Sequence, residues 1–281
     1  MAQLHRRRQK RATPRVVLVG CGRLGGALAL GLRSAGWDIA TLPHSENSAR
    51  RATALGIPLT SHDELKGVQL CILAVHEAAM HDALQFVGKG VKGGTAFVHT
   101  SGSTQLRSFK NVKPVGSFHP LVAVSDPRDE LTGHAVALAA TDSALKATLL
   151  EMATALQLTP IEIPEERRVL YHAGAVLAAG LLVALTDAAL EALTEAKLRR
   201  QVALQALLPL MRSALRGIEA RGLEGGLTGP LARGELGVVQ THLEALPKEL
   251  KVLYKVLSRR ALQLKPTLPK ETHTALERLL L

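Results

Sequence analysis

Three histidines in the first half of the chain each stand at or just after the end of a short apolar run. The segments are 74–77 (AVHE), 99–102 (HTSG) and 118–120 (FHP). Because imidazole titrates near neutrality, His119 is a candidate proton donor, although a His-Pro step can also simply end a strand. A metal site is disfavoured, because no cysteine or carboxylate cluster accompanies these histidines at ligand spacing.

A glycine-rich segment, 20–25 (GCGRLG), lies between the apolar run 16–19 (VVLV) and a helical pattern. This G-x-G-x-x-G spacing allows a tight turn at Gly20, close approach of a pyrophosphate at Gly22 and close helix–strand packing at Gly25. A strand before the loop and a helix after it predict a dinucleotide-binding Rossmann fold. The predicted cofactor contacts in this loop and at later strand ends are Gly20, Gly22, Arg23, Leu24, Gly25, Ala74, Val75, Thr100 and Ser101.

The end of the second predicted strand indicates which dinucleotide binds. NAD sites usually place a carboxylate there to accept from the ribose 2′-hydroxyl, but none occurs here before Glu46. His44, Ser45, Arg50 and Arg51 could instead contact a 2′-phosphate, which favours NADP over NAD. The alternative is that the two arginines form a solvated helix face.

These residues need a doubly wound scaffold to bring them together. Apolar runs predict strands at 16–20, 38–42, 69–75, 95–99, 114–118, 134–140 and 159–163. Helical patterns lie between several of them, at 24–35, 46–55, 77–87 and 142–156. After Pro164 the pattern is helical throughout, with breaks expected near Ala196 and Pro209, a glycine-rich loop at 221–237 and a last helix after Pro269. The fold class is therefore α/β, with a mainly parallel Rossmann sheet at 15–163 and an all-α domain at 164–281.

Charge is concentrated at the start of the chain. The formal net charge is +11, and six basic residues with no acid lie within residues 1–15. Residues 1–14 are therefore expected to be a disordered basic tail that is either merely solvated or contacts an acidic partner, a membrane surface or nucleic acid. Nucleic-acid binding has little other support, because aromatic residues, which stack on bases, make up only 2% of the chain.

Cysteine use and hydropathy indicate a cytoplasmic protein. Cys21 and Cys71 are expected to be free thiols, and no signal peptide is evident. The uncharged stretch 173–186 is shorter than a membrane span. We therefore expect no transmembrane segment, and a helix at 173–186 that is buried at a domain or subunit contact.

With the strand ends placed, the sequence resembles an uncharacterised Rossmann-like family with a C-terminal helical domain of unknown function, in the 6-phosphogluconate dehydrogenase-like superfamily. The resemblance rests on VGCGRLGGALA, HTSG, GSFHPL, Tyr171-His172-Ala173 and TGPLARGE at 228–235, and it covers 16 to about 264. It implies an NAD(P)-linked oxidoreductase fold whose helical domain mediates homodimerisation, but no substrate. The GSFHP segment also resembles the corresponding strand end of prephenate dehydrogenases, which places it beside the nicotinamide.

Two residues depart from that family. Arg168 stands where a lysine is usual and Gly180 where an asparagine is usual, and related dehydrogenases use that pair as acid and substrate anchor. Arginine is a poor proton donor at neutral pH, although it can clamp a carboxylate or phosphate. These departures put catalysis in question.

Three further residues complete the candidate catalytic set of His119, Arg168, Tyr171, His172 and Arg233. Tyr171 and His172 could face the cleft, or cap a helix or form a dimer contact. Arg233 could contact an anion from a partner subunit, or form a salt bridge that holds its loop. The first hypothesis is an NADP-dependent oxidoreductase for a small anionic carbonyl or imine substrate. The second is a catalytically inactive nucleotide-binding sensor or dimeric scaffold.

Overall fold

The fold was analysed in a computed structural model that describes residues 14–91, 93–109, 112 and 114–281. The chain divides into two compact units, Met1–Ala179 and Gly180–Leu281. The sequence placed the boundary after residue 163; the first unit reaches further because the helix that carries Arg168, Tyr171 and His172 bonds to the strand-end loops. The predicted basic tail, 1–14, lies almost wholly outside the described residues.

The first unit contains a seven-stranded sheet in the order β2-β1-β3-β4-β5-β6-β7. Only the β5–β6 pair is antiparallel; the other five pairs are parallel. The strands are β1 (Val16–Val19), β2 (Ile39–Thr41), β3 (Leu70–Leu73), β4 (Ala96–His99), β5 (Val115–Pro120), β6 (Ala135–Ala140) and β7 (Thr159–Ile161). All seven predicted strands are confirmed, so the mainly parallel Rossmann sheet is confirmed.

Five helices accompany the sheet in the first unit. They are α1 (Arg23–Ser34), α2 (Glu46–Ala54), α3 (Met80–Gly88), α4 (Ser143–Ala155) and α5 (Arg168–Ala178). Residues 77–79, predicted as the first turn of α3, form a short 3-10 turn. Two helices begin with side-chain caps, since Ser45 accepts from the Ser48 backbone N–H and Asp142 from that of Leu145.

Both faces of the sheet are buried, as expected for parallel strands between helices. Alternate residues of β1 enter different cores: Val16 and Leu18 pack in one cluster, Val17 and Val19 in the other. Cys71 is buried in the second cluster, and both cysteines are free thiols, as predicted. The rigid sheet therefore fixes the positions of the loops at its carboxyl edge.

The second unit is helical over its described length. Its helices are α6 (Gly180–Glu195), α7 (Arg200–Gly226), α8 (Pro230–Arg233), α9 (Leu236–Ala245), α10 (Lys248–Leu262) and α11 (Lys270–Leu280). The break near Ala196 and the final helix are confirmed. The break at Pro209 is wrong, since α7 continues through it at the cost of one backbone hydrogen bond. Most of the predicted glycine-rich loop is also helical, interrupted at Gly222, whose φ is +69°.

One helical run among the described residues, Glu165–Glu195, is long and apolar enough to cross a membrane by length and composition. It is longer than the uncharged stretch 173–186, because the few flanking charges do not end the helix. One such run is weak support for a membrane span. Only 6% of its most apolar window is buried within the chain, and the expected burial of 173–186 at a domain or subunit contact stays a prediction.

Candidate functional site

The glycine loop joins β1 to α1 by a turn in which each glycine has a different task. Gly20 has a φ of +98°, and a Cβ there would lie 2.3 Å from the Ala74 carbonyl oxygen. A Cβ on Gly25 would lie 2.0 Å from the Gly20 carbonyl oxygen. Gly22 has no atom within 4 Å of its Cβ position. The first and third glycines therefore permit close packing, and the second leaves open space above the start of α1.

A cavity of about 1,210 Å³ opens at this edge of the sheet. It runs from the loop after β2, past the glycine loop, to the ends of β4 and β5. It is lined by every predicted cofactor contact except Arg50, namely Gly20, Gly22, Arg23, Leu24, Gly25, His44, Ser45, Ala74, Val75, Thr100 and Ser101. His119 and His172 line its other end. The sequence motifs thus meet in one cavity of the first unit.

The nucleotide end of the cavity, defined by the glycine loop, His44, Ser45 and Arg51, has no acidic lining residue. Glu46 is exposed and lies 3.8 Å from Arg50, and neither side chain lines the cavity. Arg51, on the next position of α2, does line it. Of the two arginines, only Arg51 therefore lines the cavity, whereas Arg50 lies on the exposed face of α2.

The histidine end, defined by His99, Gly102, His119, Arg168, Tyr171 and His172, combines β4, β5 and α5. The Tyr171 hydroxyl lies 2.9 Å from His119 Nδ1. The His119 and His172 rings meet edge to face with centroids 5.8 Å apart. A Cβ on Gly102 would lie 2.5 Å from His172 Nδ1 and 2.9 Å from His119 Nε2, so only glycine fits beneath the two rings.

Arg168 is enclosed in the protein, with 1% of its side chain exposed. Its Nη2 donates to the Ser101 carbonyl oxygen at 3.1 Å, and its Nη1 donates to Glu165 Oε1 at 3.4 Å. It does not line the cavity. The expectation that Arg168 clamps a substrate anion is therefore not supported by its position; it holds the loop that follows β4.

Burial and neighbouring cations keep His99 and His119 neutral. Burial, then the Arg168 charge, lowers the pKa of His99 from 6.5 to about 3. Burial, then His172 and Arg168, lowers the pKa of His119 from 6.5 to about 4. Burial raises the pKa of the Tyr171 hydroxyl, and the nearby Arg168 charge opposes that rise. At pH 7 the imidazoles of His99 and His119 are therefore neutral, and the Tyr171 phenol is protonated.

Glu77 was not among the predicted site residues. Its carboxylate accepts hydrogen bonds from the hydroxyls of Ser101, Ser103 and Thr104, the last at 3.0 Å. These bonds lower its pKa. The carboxylate thus joins the loop after β3 to the loop after β4. The available signal was a hydroxyl residue within HTSG followed by two more directly after it, but no sequence spacing reveals that these hydroxyls converge on one carboxylate.

The remaining candidates lie in the second unit, which we describe separately. Arg233 donates from Nε to Glu235 Oε1 at 2.7 Å and from Nη2 to Oε2 at 2.9 Å. This is the salt bridge that was the alternative to an anion contact. Gly180, which stands where related proteins have asparagine, is the first residue of α6. No group of three or more potential metal ligands is found among the described residues.

Part of the chain matches the model of a known protein family. Residues 134–261 match the family model of a domain of unknown function, DUF2520. The match begins just before β6, within the sheet of the first unit, and ends in α10. No curated protein sequence matches significantly.

Solved structures share the fold along most of the chain. A protein from Bacteroides fragilis, provisionally named an NADP oxidoreductase, is 25% identical with a TM-score of 0.76, covering 90% of this chain and 99% of its own. A Thermotoga maritima protein is 22% identical with a TM-score of 0.72, covering 90% and 98%. A Plasmodium falciparum pyrroline carboxylate reductase with NADP bound is 11% identical with a TM-score of 0.62, covering 90% and 99%. Residues 134–261 thus match the DUF2520 model, and the chain shares its Rossmann-type fold with these solved structures.

Proposed function

We propose that the chain is an NADP-dependent oxidoreductase that reduces a small carbonyl or imine compound. One observation carries the proposal: a single cavity joins an open glycine loop and an arginine without a competing carboxylate to a pair of histidines, of which His119 has a pKa lowered to about 4. The fold shared with NADP-linked reductases supports the same assignment.

The nucleotide end fits the dinucleotide. Open space at Gly22 allows the pyrophosphate to approach the backbone N–H groups at the start of α1. His44, Ser45 and Arg51 line the region after β2, where a 2′-phosphate would be bound by charge-assisted hydrogen bonds. When bound, the reduced dinucleotide supplies a hydride. The histidine end binds and orients the acceptor and supplies the proton.

The structure offers no evident partner for the expected anionic group of the substrate among the described residues of the histidine end. Arg168, its expected contact, is buried behind Ser101. Apart from Arg168, which does not line the cavity, the histidine end offers no lysine or arginine among the described lining residues near it, which are His76, Glu77, Ser101, Gly102, Ser103, His119 and His172. An anionic group on the substrate therefore stays a prediction, and it is tested by comparing charged with neutral substrates.

Binding and turnover can be tested separately. NADPH and NADH are titrated calorimetrically into the protein, and NADPH oxidation is then followed with panels of charged and neutral ketones, aldehydes and imines. We expect micromolar or tighter NADPH binding and turnover of at least one class. Gly22→Val, which fills the open space, should abolish binding without unfolding the protein. Gly88→Val, at the last residue of α3, where the Cβ position is also open and lies outside the cavity, is the control.

The buried Arg168 favours a second candidate function, a nucleotide-binding sensor without turnover, because the usual lysine donor is missing. Tight NADPH binding with no oxidation across the panel would support it over the first. Absence of binding by either dinucleotide would contradict both.

We also propose that the protein is a homodimer formed through the second unit. Its helices expose large apolar side chains, including Val183 (71% exposed), Leu210 (65%), Val252 (59%) and Val256 (50%). Exposed apolar surface of this extent is typical of an interface. A second copy of the chain presents the same helices and can bury them in an isologous contact.

Light scattering during size-exclusion chromatography tests the dimer. We expect twice the monomer mass for the protein and monomers for Val183→Glu combined with Leu210→Glu. Leu59→Glu, at an exposed leucine of the first unit (44%), is the control. A monomeric parent protein, or one that instead sediments with lipid vesicles, would contradict the proposal.

A further inference from the structure

His119 uses its two ring nitrogens differently. Nδ1 lies 2.9 Å from the Tyr171 hydroxyl, and the two rings meet edge to face at 5.6 Å. Nε2 faces Gly102, where even a Cβ would lie 2.9 Å away, and both residues line the cavity. One nitrogen is therefore bound to a phenol within the protein, and the other borders the cavity.

We propose that Tyr171 and His119 form a relay that passes a proton from the Tyr171 hydroxyl, through the neutral imidazole, to the oxygen of a bound ketone or aldehyde. This inference rests on the proposed function and narrows its substrate class. A carbonyl oxygen must gain a proton as the carbon is reduced, whereas a protonated imine needs none. A dedicated proton path therefore favours a carbonyl compound.

The step balances in protons and electrons. The Nε2–H bond breaks as an O–H bond forms on the substrate, and the Tyr171 O–H bond breaks as an Nδ1–H bond forms. The imidazole is neutral before and after, with the proton on the other nitrogen, and Tyr171 is left as a phenolate that water reprotonates. The two electrons that reduce the carbonyl come from the reduced dinucleotide, and neither side chain is oxidised or reduced.

The charges around His119 explain why a relay is needed. Burial, followed by the charges of His172 and Arg168 on α5, lowers the pKa of His119 to about 4, and His99 on β4 lies close enough to interact with it electrostatically. Two acids lie near this cluster: Glu77 is held by three hydroxyls of the loop after β4, and Glu165 accepts from Arg168. At pH 7 only about one His119 in a thousand is an imidazolium. A neutral imidazole donates from Nε2 readily only if Nδ1 receives a proton in return.

Tyr171 is suited to supply that proton. It keeps its proton over the physiological range, and a phenol is far more acidic than an alcohol, so transfer toward an alkoxide is downhill. Arg168 lowers the pKa of the hydroxyl and therefore favours the transient phenolate. Tyr171 is half-buried, so water can restore its proton. The buried arginine thus acts electrostatically where related proteins place a lysine.

The first test uses the protein without dinucleotide. Long-range ¹H–¹⁵N NMR of histidine-labelled protein reports the protonation of each ring nitrogen, with His119→Gln assigning the signals. We expect His119 to carry its proton on Nε2 from pH 5 to 9, and Tyr171→Phe to shift it toward a mixture of the two tautomers. A proton found on Nδ1 would overturn the relay, because Tyr171 would then be the acceptor.

The second test is kinetic. With NADPH and the best carbonyl substrate, kcat should be constant between pH 5.5 and 9 and fall about 100-fold in Tyr171→Phe or His119→Gln. The double variant should be no slower than either single one. Tyr254→Phe is the control, since Tyr254 forms the same kind of pair with His242 Nδ1, at 2.9 Å, in the second unit.

The outcomes separate the relay from the proposed function. Loss of activity above pH 5, or an unchanged rate in Tyr171→Phe, overturns the relay while NADPH binding still supports the oxidoreductase. Absence of NADPH binding overturns the oxidoreductase, and the relay with it. If no substrate turns over, the tautomer measurement alone decides whether the proton order at His119 is the proposed one.

Discussion

The two ends of the cavity differ in the kind of group that each presents to a ligand. The nucleotide end presents backbone N–H groups and an arginine to open space. We expect it to prefer NADPH over NADH because no carboxylate after β2 is among its described lining residues. The histidine end depends on buried side chains that fix one another's charge, including Arg168 at 1% exposure. The contrast teaches that short local motifs can specify a cofactor site, whereas a proton site needs residues brought together from distant segments.

The largest effect should come from the turn at the nucleotide end. Gly20→Ala adds a Cβ 2.3 Å from the Ala74 carbonyl oxygen at a φ of +98°, and we expect it to lower the free energy of unfolding by about 2–5 kcal/mol. Gly36→Ala shares a positive φ of +85° but has open space, so it should cost about 1–2 kcal/mol. Urea unfolding measures both, and equal losses would contradict the packing role of Gly20.

The histidine end should also make the free energy of unfolding depend on pH. Because the folded-state pKa values of His99 and His119, about 3 and about 4, lie below 6.5, the unfolded chain takes up protons first as pH falls. Their contribution is complete above pH 6.5 and is lost toward pH 4 and below, by at most about 1.4 kcal/mol per pH unit for each histidine.

Urea unfolding between pH 7 and 4.5 checks this dependence. His119→Gln should flatten it, while His81→Gln, at an exposed histidine, should not. The same pH dependence in His119→Gln as in the parent protein would show that His119 is not held neutral.

Crowding at the histidine end can be changed without touching the nucleotide end. Gly102→Ala places a methyl group 2.5 Å from His172 Nδ1 and 2.9 Å from His119 Nε2, so the rings must move. We expect kcat to fall about 10- to 100-fold with NADPH affinity within about twofold of the parent. Ser103→Ala, which removes one of three hydroxyls from Glu77, is the milder control. Equal losses of affinity and rate would mean that the two ends are not separable.

Much of the first unit could be predicted from sequence, because its motifs are local. The strand, glycine turn and helix around Gly20–Gly25 are consecutive in the sequence. The position of the strand-end histidines could be predicted because ligands bind at the carboxyl ends of parallel strands. What could not be predicted depends on distant contacts. Which of Arg50 and Arg51 lines the cavity depends on how α2 is rotated about its axis. The burial of Arg168 depends on its hydrogen bond to Ser101, which lies 67 residues away in the sequence.

The second unit was predicted less well for a related reason. A proline predicts a break, yet α7 continues through Pro209, because packing within the unit outweighs one lost hydrogen bond. Its apolar residues were expected to be buried, but within one chain many are exposed, as Val183 is at 71%. The sequence pattern indicates that a helix face is apolar. It does not indicate whether the same chain or a second copy of the chain covers that face.

The central claim, a site that selects NADP, is tested most directly by calorimetric titration of Arg51→Ala and Arg50→Ala with NADPH and NADH. The two arginines are neighbours on one helix, but only Arg51 lines the cavity. We expect the parent protein to prefer NADPH, Arg51→Ala to weaken NADPH about 10- to 100-fold with NADH unchanged, and Arg50→Ala to change neither. Equal affinity of the parent for both dinucleotides, or the same loss in both variants, would contradict the account.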